Sequence, residues 1–309
     1  MSSDGRRVVS ISLGSSKRDH RVEVVRRGIV FSIARAGTDG DLDRAEERIR
    51  ALDGEIDAIG LGGIDIYLQA AGTRYEIRDG VRLRDAATRT PVVDGSGVKA
   101  TLEKRAVDRL WEEKILGPGT PVLLVSALDR FGMAEALVAA GCDVVFGDLM
   151  FTAGIPYPIE TLEELADLAR RVLPQVGKLP FTMLYPTGSE QEKGPDPRFQ
   201  AQYDRARVIA GDFHFIRRHL PERLDGKVMI TNTTTAQDVK DLWARGLERL
   251  VTTTPALDGR SFGANVIEAM AVSYLTDRPG PLTDTELVRA LAELGIGPEE
   301  RIRDPELSR

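Results

Sequence analysis

The sequence predicts an α/β protein, with an N-terminal α/β domain followed by a C-terminal doubly wound, Rossmann-like domain on a parallel sheet. Short apolar runs in the second half alternate with polar turns and amphipathic stretches, as in a sheet with helices on both faces. A Gly-Pro-Gly break at 117–119 separates this pattern from a differently organised first part. The apolar runs occupy residues 121–125, 143–146, 181–185, 212–216, 227–231 and 250–253.

The composition is typical of a soluble protein with two cores. The chain has 309 residues, of which 42% are hydrophobic and 29% charged. Its formal net charge is -6 with both signs mixed along the chain, which argues against nucleic acid as a partner. No apolar run approaches the ~20 residues of a membrane span. We therefore expect a small-molecule partner and no membrane partner, and the sequence leaves a homo-oligomer open.

The cysteine and histidine content limits the chemistry further. Cys142 is the only cysteine, so an intramolecular disulfide is excluded, and its position between a helix and a strand indicates a small buried hydrophobe. The chain starts without a signal peptide, which together with the single cysteine predicts the cytoplasm. The three histidines do not stand at metal-ligand spacing, so we predict no metal site.

The pattern of the first part of the chain predicts strands and hairpins around two helices. Alternating residues predict strands, and three- and four-residue spacing of apolar residues predicts helices at 41–52 and 98–116. The strands and hairpin arms are expected at residues 8–13, 21–25, 29–33, 56–61, 66–68, 74–77 and 91–93. Because the break at 117–119 ends the second helix, we place the first domain at 1–117 and the second at 120–275.

The second domain carries most of the remaining helices. Amphipathic spacing predicts them at residues 131–140, 160–173, 198–210, 236–245 and 261–275. The polar loop 186–197 is either a lid or a mobile surface. Residues 276–309 are expected to form one further helix and a polar tail.

A glycine-rich segment follows the strand at 56–61. Gly60, Gly62 and Gly63 precede a hairpin rather than a helix, whereas a dinucleotide loop needs a helix to hold the pyrophosphate. We therefore interpret these glycines as sites where a backbone or substrate approaches closely. Asp65, next along the chain, is either a substrate ligand or a turn-capping residue.

The segment from Asp94 to Lys99 carries a second candidate. A strand ends in Asp94, two glycines turn the chain, and Lys99 falls in the first turn of the next helix. The helix dipole disfavours a cation at that end, which suggests that Lys99 is kept for another reason. A lysine beside a partly desolvated carboxylate can orient and deprotonate a hydroxyl, while the alternative is a solvated helix residue.

The turn after the strand at 121–125 is where a nicotinamide-binding domain has its glycines. Only Gly132 stands at a glycine position of that fingerprint, and Asp129 would repel a pyrophosphate. Asp148 ends the next strand, where an acid can bind ribose hydroxyls and disfavour a 2′-phosphate. These residues are compatible with nucleotide binding and with its absence.

Small polar residues also follow the strand at 227–231. Thr235 and Asp238 fit a capping box, which explains Thr235. The capping box leaves the three preceding polar residues unexplained. Small polar residues at the carboxyl end of a strand suit a ligand-facing wall, and here they are Asn232, Thr233 and Thr234.

The order of these motifs resembles the shikimate and quinate dehydrogenase family, including bacterial proteins named quinate 5-dehydrogenase. The resemblance spans roughly residues 8 to 275 and rests on short motifs. They are the serines of the first strand (Ser10, Ser12), the Asp-x-x-Gly turn at 94–97, the Asn-Thr-Thr segment at 232–234 and Asp258-Gly259.

The resemblance implies an N-terminal substrate domain and a C-terminal nucleotide-binding domain. The implied activity is an NAD(P)-dependent, by preference NAD-dependent, oxidation of a small cyclic polyhydroxy acid such as quinate or shikimate. Lys99 and Asp94 would handle the hydroxyl proton. The remaining implied roles are carboxylate binding by Ser10 and Ser12, substrate binding by Asp65, and NAD binding by Gly132, Asp148, Asn232, Thr233 and Thr234.

A non-redox protein on the same two-domain frame is the alternative. The glycine turn is degenerate and the family's threonine-to-lysine substrate motif has no match in the chain. A transferase, a lyase or a small-molecule-binding protein would fit these departures.

Overall fold

The first sheet has five strands and is mostly parallel. The computed structural model describes residues 5–184, 197–257, 260–275 and 282–304. The order in the first sheet is β2-β3-β1-β4-β7, in which only β2 is antiparallel to its neighbour. The elements are β1 (Arg6–Ser12), β2 (His20–Arg26), β3 (Ile29–Gly37), α1 (Leu42–Leu52), β4 (Ala58–Gly62), the hairpin strands β5 (Tyr67–Ala70) and β6 (Thr73–Glu76), α2 (Arg78–Arg84), β7 (Val92–Val93) and α3 (Ser96–Glu112).

The second sheet has six strands and begins directly after the Gly-Pro-Gly break. Its order is β15-β12-β11-β10-β8-β9, with β15 antiparallel and the others parallel. The elements are β8 (Pro121–Leu124), α4 (Phe131–Ala139), β9 (Asp143–Phe146), α5 (Leu162–Val176), α6 (Phe181–Leu184), α7 (Gln200–Arg205), β10 (Val208–Ala210), α8 (Phe213–Arg218), β11 (Val228–Thr231), α9 (Ala236–Ala244), β12 (Arg249–Thr252), β13 (Ala256–Leu257), β14 (Arg260–Ser261), α10 (Ala264–Leu275), α11 (Asp284–Glu293) and β15 (Glu299–Ile302). The predicted α/β class, with a parallel sheet in the second part of the chain, is confirmed, and the first sheet is mostly parallel as well.

Each sheet is buried on both faces by helices. Two apolar clusters flank the second sheet, and two flank the first. Helix α3 connects the two sheets, because Leu102 packs with the first sheet while Val107 and Leu110 pack with the second. The sheets are therefore separate layers that one helix connects.

Helix α10 returns to the first sheet. It packs against β1, β4 and α3, although residues 261–275 were predicted as part of the second domain. Its side chains are apolar almost all round, which fits a helix covered by α11 on one side and by a sheet on the other. The chain thus crosses between the two sheets after α3, before α10 and again before β15. The range 120–275 therefore combines segments that pack on different sheets.

Two predicted strands of the second domain are wrong. Residues 181–184 form α6, and residues 213–218 form α8, whose first turn is capped by the side chain of Asp212. Strand β10 lies just before α8, in the segment 198–210 that was predicted as a helix. Short apolar runs fit a buried strand and a buried helix equally well, so their periodicity could not separate the two.

Some predictions fall outside the described residues. These are Asp258, Gly259, nearly all of the polar loop 186–197 and parts of the segment 276–309. Within the described part of the chain, no helix is both long and apolar enough to cross a bilayer.

Candidate functional site

The carboxyl ends of β8 and β10 form a topological switch point in the second sheet. Strand β8 lies between β9 and β10, so the chain leaves it first to one side and then to the other. Ligands of doubly wound folds bind outside the carboxyl ends of strands at such points. Asp212 follows β10, and Arg130 lies in the short 3₁₀ turn after β8.

A cleft of about 450 Å³ opens beside this point. Its walls are the first turns of α3, the start of α4 and the hairpin β5–β6. Polar side chains come from each wall, and the hairpin also contributes Leu68, Ala70 and Ala71. The polar set includes Tyr67, Gln69, Ser96, Lys99, Asp129 and Arg130.

Lys99 bridges carboxylates from both halves of the chain. Its Nζ lies 2.7 Å from Oδ1 of Asp65 and 3.5 Å from Oδ1 of Asp129. Burial alone would lower the pKa of Lys99, but the charges of Asp129 and Asp65 raise it well above its ordinary value. Lys99 is therefore an ammonium ion at neutral pH, and these carboxylates offset its unfavourable place in the helix dipole.

Asp94 does not contact Lys99 in the way the sequence suggested. Its Oδ2 accepts a hydrogen bond from the amide of Ile66 at 2.6 Å, and its Oδ1 accepts one from the amide of Ser96 at 2.9 Å. Burial, followed by the charge of Asp65, raises the pKa of Asp94. Asp94 thus holds the start of α3 against the loop before β5, and Asp65 is the hydrogen-bond partner of Lys99.

A second, deeper ion pair lies next to Lys99. Arg130 is buried and contacts Glu103, which stands one helical turn after Lys99 on α3. Its other partner is Asp212, whose Oδ2 lies 3.1 Å from Nη2. Burial raises the pKa of Glu103 to about 6, although Arg130 lowers it. For Asp212, burial is outweighed chiefly by Arg130, so the pKa of that carboxyl is lowered.

The Asn-Thr-Thr segment lies at the carboxyl end of β11, beside the Arg130 pair. Asn232 Nδ2 donates to Asp212 Oδ2 at 2.7 Å, and its Oδ1 accepts from the amide of Phe213 at 3.1 Å. Thr234 is buried and Thr233 is half-buried. Asn232 therefore orients Asp212, and none of the three residues lines the cleft.

The turn after β8 does not fit a dinucleotide pyrophosphate. Asp148 is buried, and its carboxylate accepts hydrogen bonds from the amides of Ala127 and Leu128 at 2.9 to 3.0 Å. These are the amides that would have to turn toward a phosphate, and both carboxylate oxygens are engaged with them. Burial raises the pKa of Asp148 to about 6. These contacts do not support the expected role of Asp148 in binding a ribose.

Gly132 also has a packing role. It lies within α4, where an added Cβ would sit 4.0 Å from Ala100 of α3. The two helices pack against each other at this point. Gly132 borders the cleft, but it does not form a phosphate-binding turn.

The strand serines face helix α10 and Arg35 instead of the cleft. Ser10 Oγ accepts from Asn265 Nδ2 at 2.9 Å, and Ser12 Oγ accepts from Arg35 Nη2 at 3.0 Å. Neither serine borders the cleft, so their proposed carboxylate-binding role is not supported by their position. The close-approach interpretation of the glycines fits, since a Cβ on Gly60 would meet the backbone oxygen of Asn265 at 2.6 Å.

Sequence reasoning missed Arg130, Glu103 and Glu268 as members of the site. Glu103 follows Lys99 by four residues, so both lie on one face of α3, a signal that was available. Glu268 is a single charge in an otherwise apolar helix, which indicates a buried group. Its Oε2 accepts from the amides of Gly97 and Val98 at 3.2 and 3.4 Å. Among the described residues, no group of three or more His, Cys, Asp or Glu side chains is arranged to hold a metal.

Solved structures resemble the chain only distantly. A galactofuranose binding protein aligns with a TM-score of 0.38 at 12% identity, covering 94% of this chain and 98% of that one. A glucose-galactose binding protein, GanP from Geobacillus stearothermophilus, has a TM-score of 0.38 at 10% identity and covers 98% of both chains. An NAD-dependent malic enzyme from Thermotoga maritima has a TM-score of 0.36 at 12% identity, with 94% and 84% coverage. At these values the similarities do not bear on function.

Sequence comparison gives family matches along most of the chain. No curated protein matches it. Residues 7–94 match the family described as domain of unknown function (DUF8753). Residues 97–302, more than half of the chain, match the family described as domain of unknown function (DUF8754). The chain therefore belongs to the DUF8754 family.

Proposed function

We propose that the cleft between α3, α4 and the β5–β6 hairpin binds a small polyhydroxylated ring compound, and that Lys99 donates a proton or hydrogen bond to one of its oxygens. The observation that carries this proposal is the Lys99–Asp65 contact of 2.7 Å at the wall of the cleft. Charged pairs that are partly removed from water and border a cavity are typical of catalytic and binding sites.

The size and lining of the cleft support a ligand of this kind. A volume of about 450 Å³ is within the usual range for small-molecule sites. Ser96, Gln69 and Asp129 offer both donors and acceptors, as several hydroxyl groups require. The apolar edge of the hairpin supplies a surface for the carbon face of a ring.

The electrostatics favour hydrogen-bond donation by the ammonium ion of Lys99 over proton abstraction by a neutral amine. The carboxylates of Asp129 and Asp65 keep Lys99 protonated at neutral pH. An ammonium ion in this position stabilises negative charge that develops on a carbonyl or hydroxyl oxygen. Asp65 fixes the direction of the ammonium group, so the pair can assist enolisation, elimination or addition at a ring carbon next to that oxygen.

We favour a non-redox activity, either a lyase or transferase step or ligand binding alone. The Asp148 carboxylate engages the amides of the turn after β8, and Asp129 adds a negative side chain to it. The strand order β9-β8-β10-β11-β12 is flavodoxin-like and differs from the 3-2-1-4-5-6 order of classic dinucleotide domains.

The second candidate is an NAD-dependent oxidoreductase acting on a quinate-like ring. The Lys99–Asp65 pair is the observation in its favour, because reduction of a ring ketone also needs a proton donor at the carbonyl oxygen. The order of the sequence motifs supports it as well. Its weak point is the turn after β8, which does not fit a pyrophosphate.

Thermal unfolding with separate ligands distinguishes the two candidates. A ligand at 100 times its Kd stabilises a protein by about 2.7 kcal/mol, so a raised Tm reports binding directly. We expect a shift with ring polyols and their carbonyl analogues, and none with NAD or NADP. A shift with NAD, together with NAD-linked oxidation of quinate or shikimate, would establish the second candidate instead. If no ring compound raises the Tm, the proposed function is wrong.

A further inference from the structure

The cations that border the cleft are each already paired with a carboxylate. Lys99 contacts Asp65 and Asp129, and Arg130 contacts Glu103 and Asp212. The third cation, Lys104, lies 3.0 Å from Asp108. An incoming carboxylate would therefore compete with protein carboxylates for every cation it meets along the described walls of the cleft.

Carboxylates also outnumber cations at the inner wall. Among the described residues, Lys99 and Arg130 are paired with four carboxylates, so an added negative charge there would meet net repulsion. Of these four, Asp129 and Glu103 border the cleft, and Asp65 and Asp212 do not. The raised pKa values of buried carboxyls nearby agree with this excess. Burial and neighbouring acids raise the pKa of Asp129, and they raise the pKa of Glu268 to about 8.

Asp129 has unmet hydrogen-bonding capacity at this wall. Within the described residues, its Oδ1 is buried and has no hydrogen-bond partner. Lys99 Nζ is 3.5 Å from that atom, too long for a good hydrogen bond. About a third of the Asp129 side chain is nevertheless exposed, so its carboxylate can be reached from the cleft that it borders. A carboxylate only accepts hydrogen bonds, so it suits a ligand hydroxyl group, which can donate one, and not a ligand carboxylate, which cannot.

We infer that the ligand of this cleft is an uncharged ring polyol, and that Asp129 recognises one of its hydroxyl groups. This inference rests on the proposed function and narrows its substrate class. The neutral charge follows from the paired cations, and the hydroxyl follows from the exposed part of the Asp129 carboxylate, which accepts a hydrogen bond from a donor. A ring acid of the quinate type is then a poor ligand, although its hydroxyl groups are suitable.

Quinate and its methyl ester provide a matched pair of probes, because they share the ring and the hydroxyl groups and differ in one charge. Binding of each to the full chain is measured by calorimetry, with myo-inositol as an additional neutral ring polyol. We expect the ester to bind at least about tenfold more tightly than the acid, a difference of about 1.4 kcal/mol.

Asp129→Asn tests the residue assignment. The substitution removes one negative charge from the wall and replaces a carboxylate acceptor by a weaker amide oxygen, so ester affinity should fall while acid affinity rises. A merely structural defect would weaken both ligands together. Asp167→Asn is the control, because Asp167 lies on α5 away from the lining of the cleft, with half of its side chain exposed, and pairs with Arg170. It should leave the ratio of the two Kd values unchanged.

The outcomes separate the inference from the proposed function. Equal or tighter binding of the acid overturns the inference and leaves the proposed function standing. The same conclusion follows if Asp129→Asn shifts both affinities in one direction. If neither the acid, the ester nor myo-inositol binds at about 1 mM, the proposed function fails and the inference fails with it.

Discussion

Lys99 is the residue on which the site depends, because carboxylates from both halves of the chain hold it and it borders the cleft. We predict that Lys99→Met folds, since an unbranched side chain costs little in a first helical turn. The free energy of unfolding should fall by about 1–3 kcal/mol, because Asp65 and Asp129 lose their charged partner. Affinity for the ring ligand should fall at least tenfold, and any turnover by about 100-fold.

Circular dichroism, denaturant unfolding, calorimetry and a turnover assay check these four expectations. Arg170→Met is the control, because Arg170 is an exposed cation on α5 with an exposed partner in Asp167 and does not border the cleft. That change should cost less than about 1 kcal/mol and leave ligand affinity intact. Retention of more than a tenth of the activity by Lys99→Met would remove Lys99 from the proposed role.

Sequence reasoning identified several residues of the site but not their partners. Lys99 stood out because its position conflicts with the helix dipole, and Asp65 because it follows a strand near glycines. Their contact could not be derived, since 34 residues and a hairpin separate them and Asp94 is nearer in the sequence. Asp148 ends a strand as expected, yet only the fold shows that backbone amides take both of its oxygens.

Glu268 predicts how stability depends on pH. Burial and the charge of Asp94 raise the pKa of Glu268 to about 8, whereas its ordinary value is 4.5. Between these values the unfolded chain releases the proton and the folded protein keeps it, so this group makes stability fall as pH rises from about 4.5 to 8. Glu268→Gln cannot ionise and should flatten that decline.

The measurement is the free energy of unfolding by urea at several pH values between 5 and 9, for the wild type and Glu268→Gln. Glu103 and Asp148, whose pKa values are raised to about 6, contribute slope in the same direction at lower pH. Because these two contributions are common to both proteins, they cancel, and the difference in the free energy of unfolding should grow steadily from pH 5 to about 8. Parallel curves over that range would show that Glu268 is ionised in the folded state.

At the level of elements, the approach of α10 to β4 depends on a missing side chain. A Cβ on Gly60 would lie 2.6 Å from the backbone oxygen of Asn265, at the start of α10. Backbone atoms in a packed helix cannot move aside cheaply, so Gly60→Ala should destabilise the protein by about 1–3 kcal/mol through overpacking. It should also weaken ligand binding, because α10 carries Glu268 to the amides at the start of α3.

Gly117→Ala is the control for this change, since an added Cβ there meets nothing within 4 Å. Its effect on the free energy of unfolding should be below about 0.5 kcal/mol. Urea unfolding of the two variants gives the comparison. Equal effects would mean that α10 can shift away from β4 at little cost.

Elements with long patterns were predictable, and short ones were not. Helix α9 was expected with its Thr235–Asp238 capping box, and the structure contains both halves of that box. Helices α6 and α8 were expected as strands because each offers only four to six apolar-rich residues. Helix α10 was found as a helix, but its return to the first sheet is a long-range packing choice that amphipathic spacing does not encode.

At the level of the whole molecule, Arg130 connects the two sheets electrostatically. Arg130 lies after β8 of the second sheet and binds Asp212 at the end of β10. It also binds Glu103 on α3, the helix that packs on both sheets. Removing one member of a buried ion pair leaves uncompensated charge inside the protein. Arg130→Met should therefore lower the free energy of unfolding by about 3–5 kcal/mol, as measured by urea unfolding.

The double variant Arg130→Met/Glu103→Gln isolates the electrostatic part of that loss. It also removes the charge of Glu103, which Arg130→Met alone leaves buried without its partner. It should be more stable than Arg130→Met alone. Arg205→Met, which breaks an ion pair with Asp143 in which both side chains are about half exposed, should cost less than about 1 kcal/mol. If the double variant is no more stable than Arg130→Met, packing and not charge holds α3 to the switch point. The cleft would then owe its shape to the helix contact between Ala100 and Gly132 rather than to the ion pairs at its inner wall.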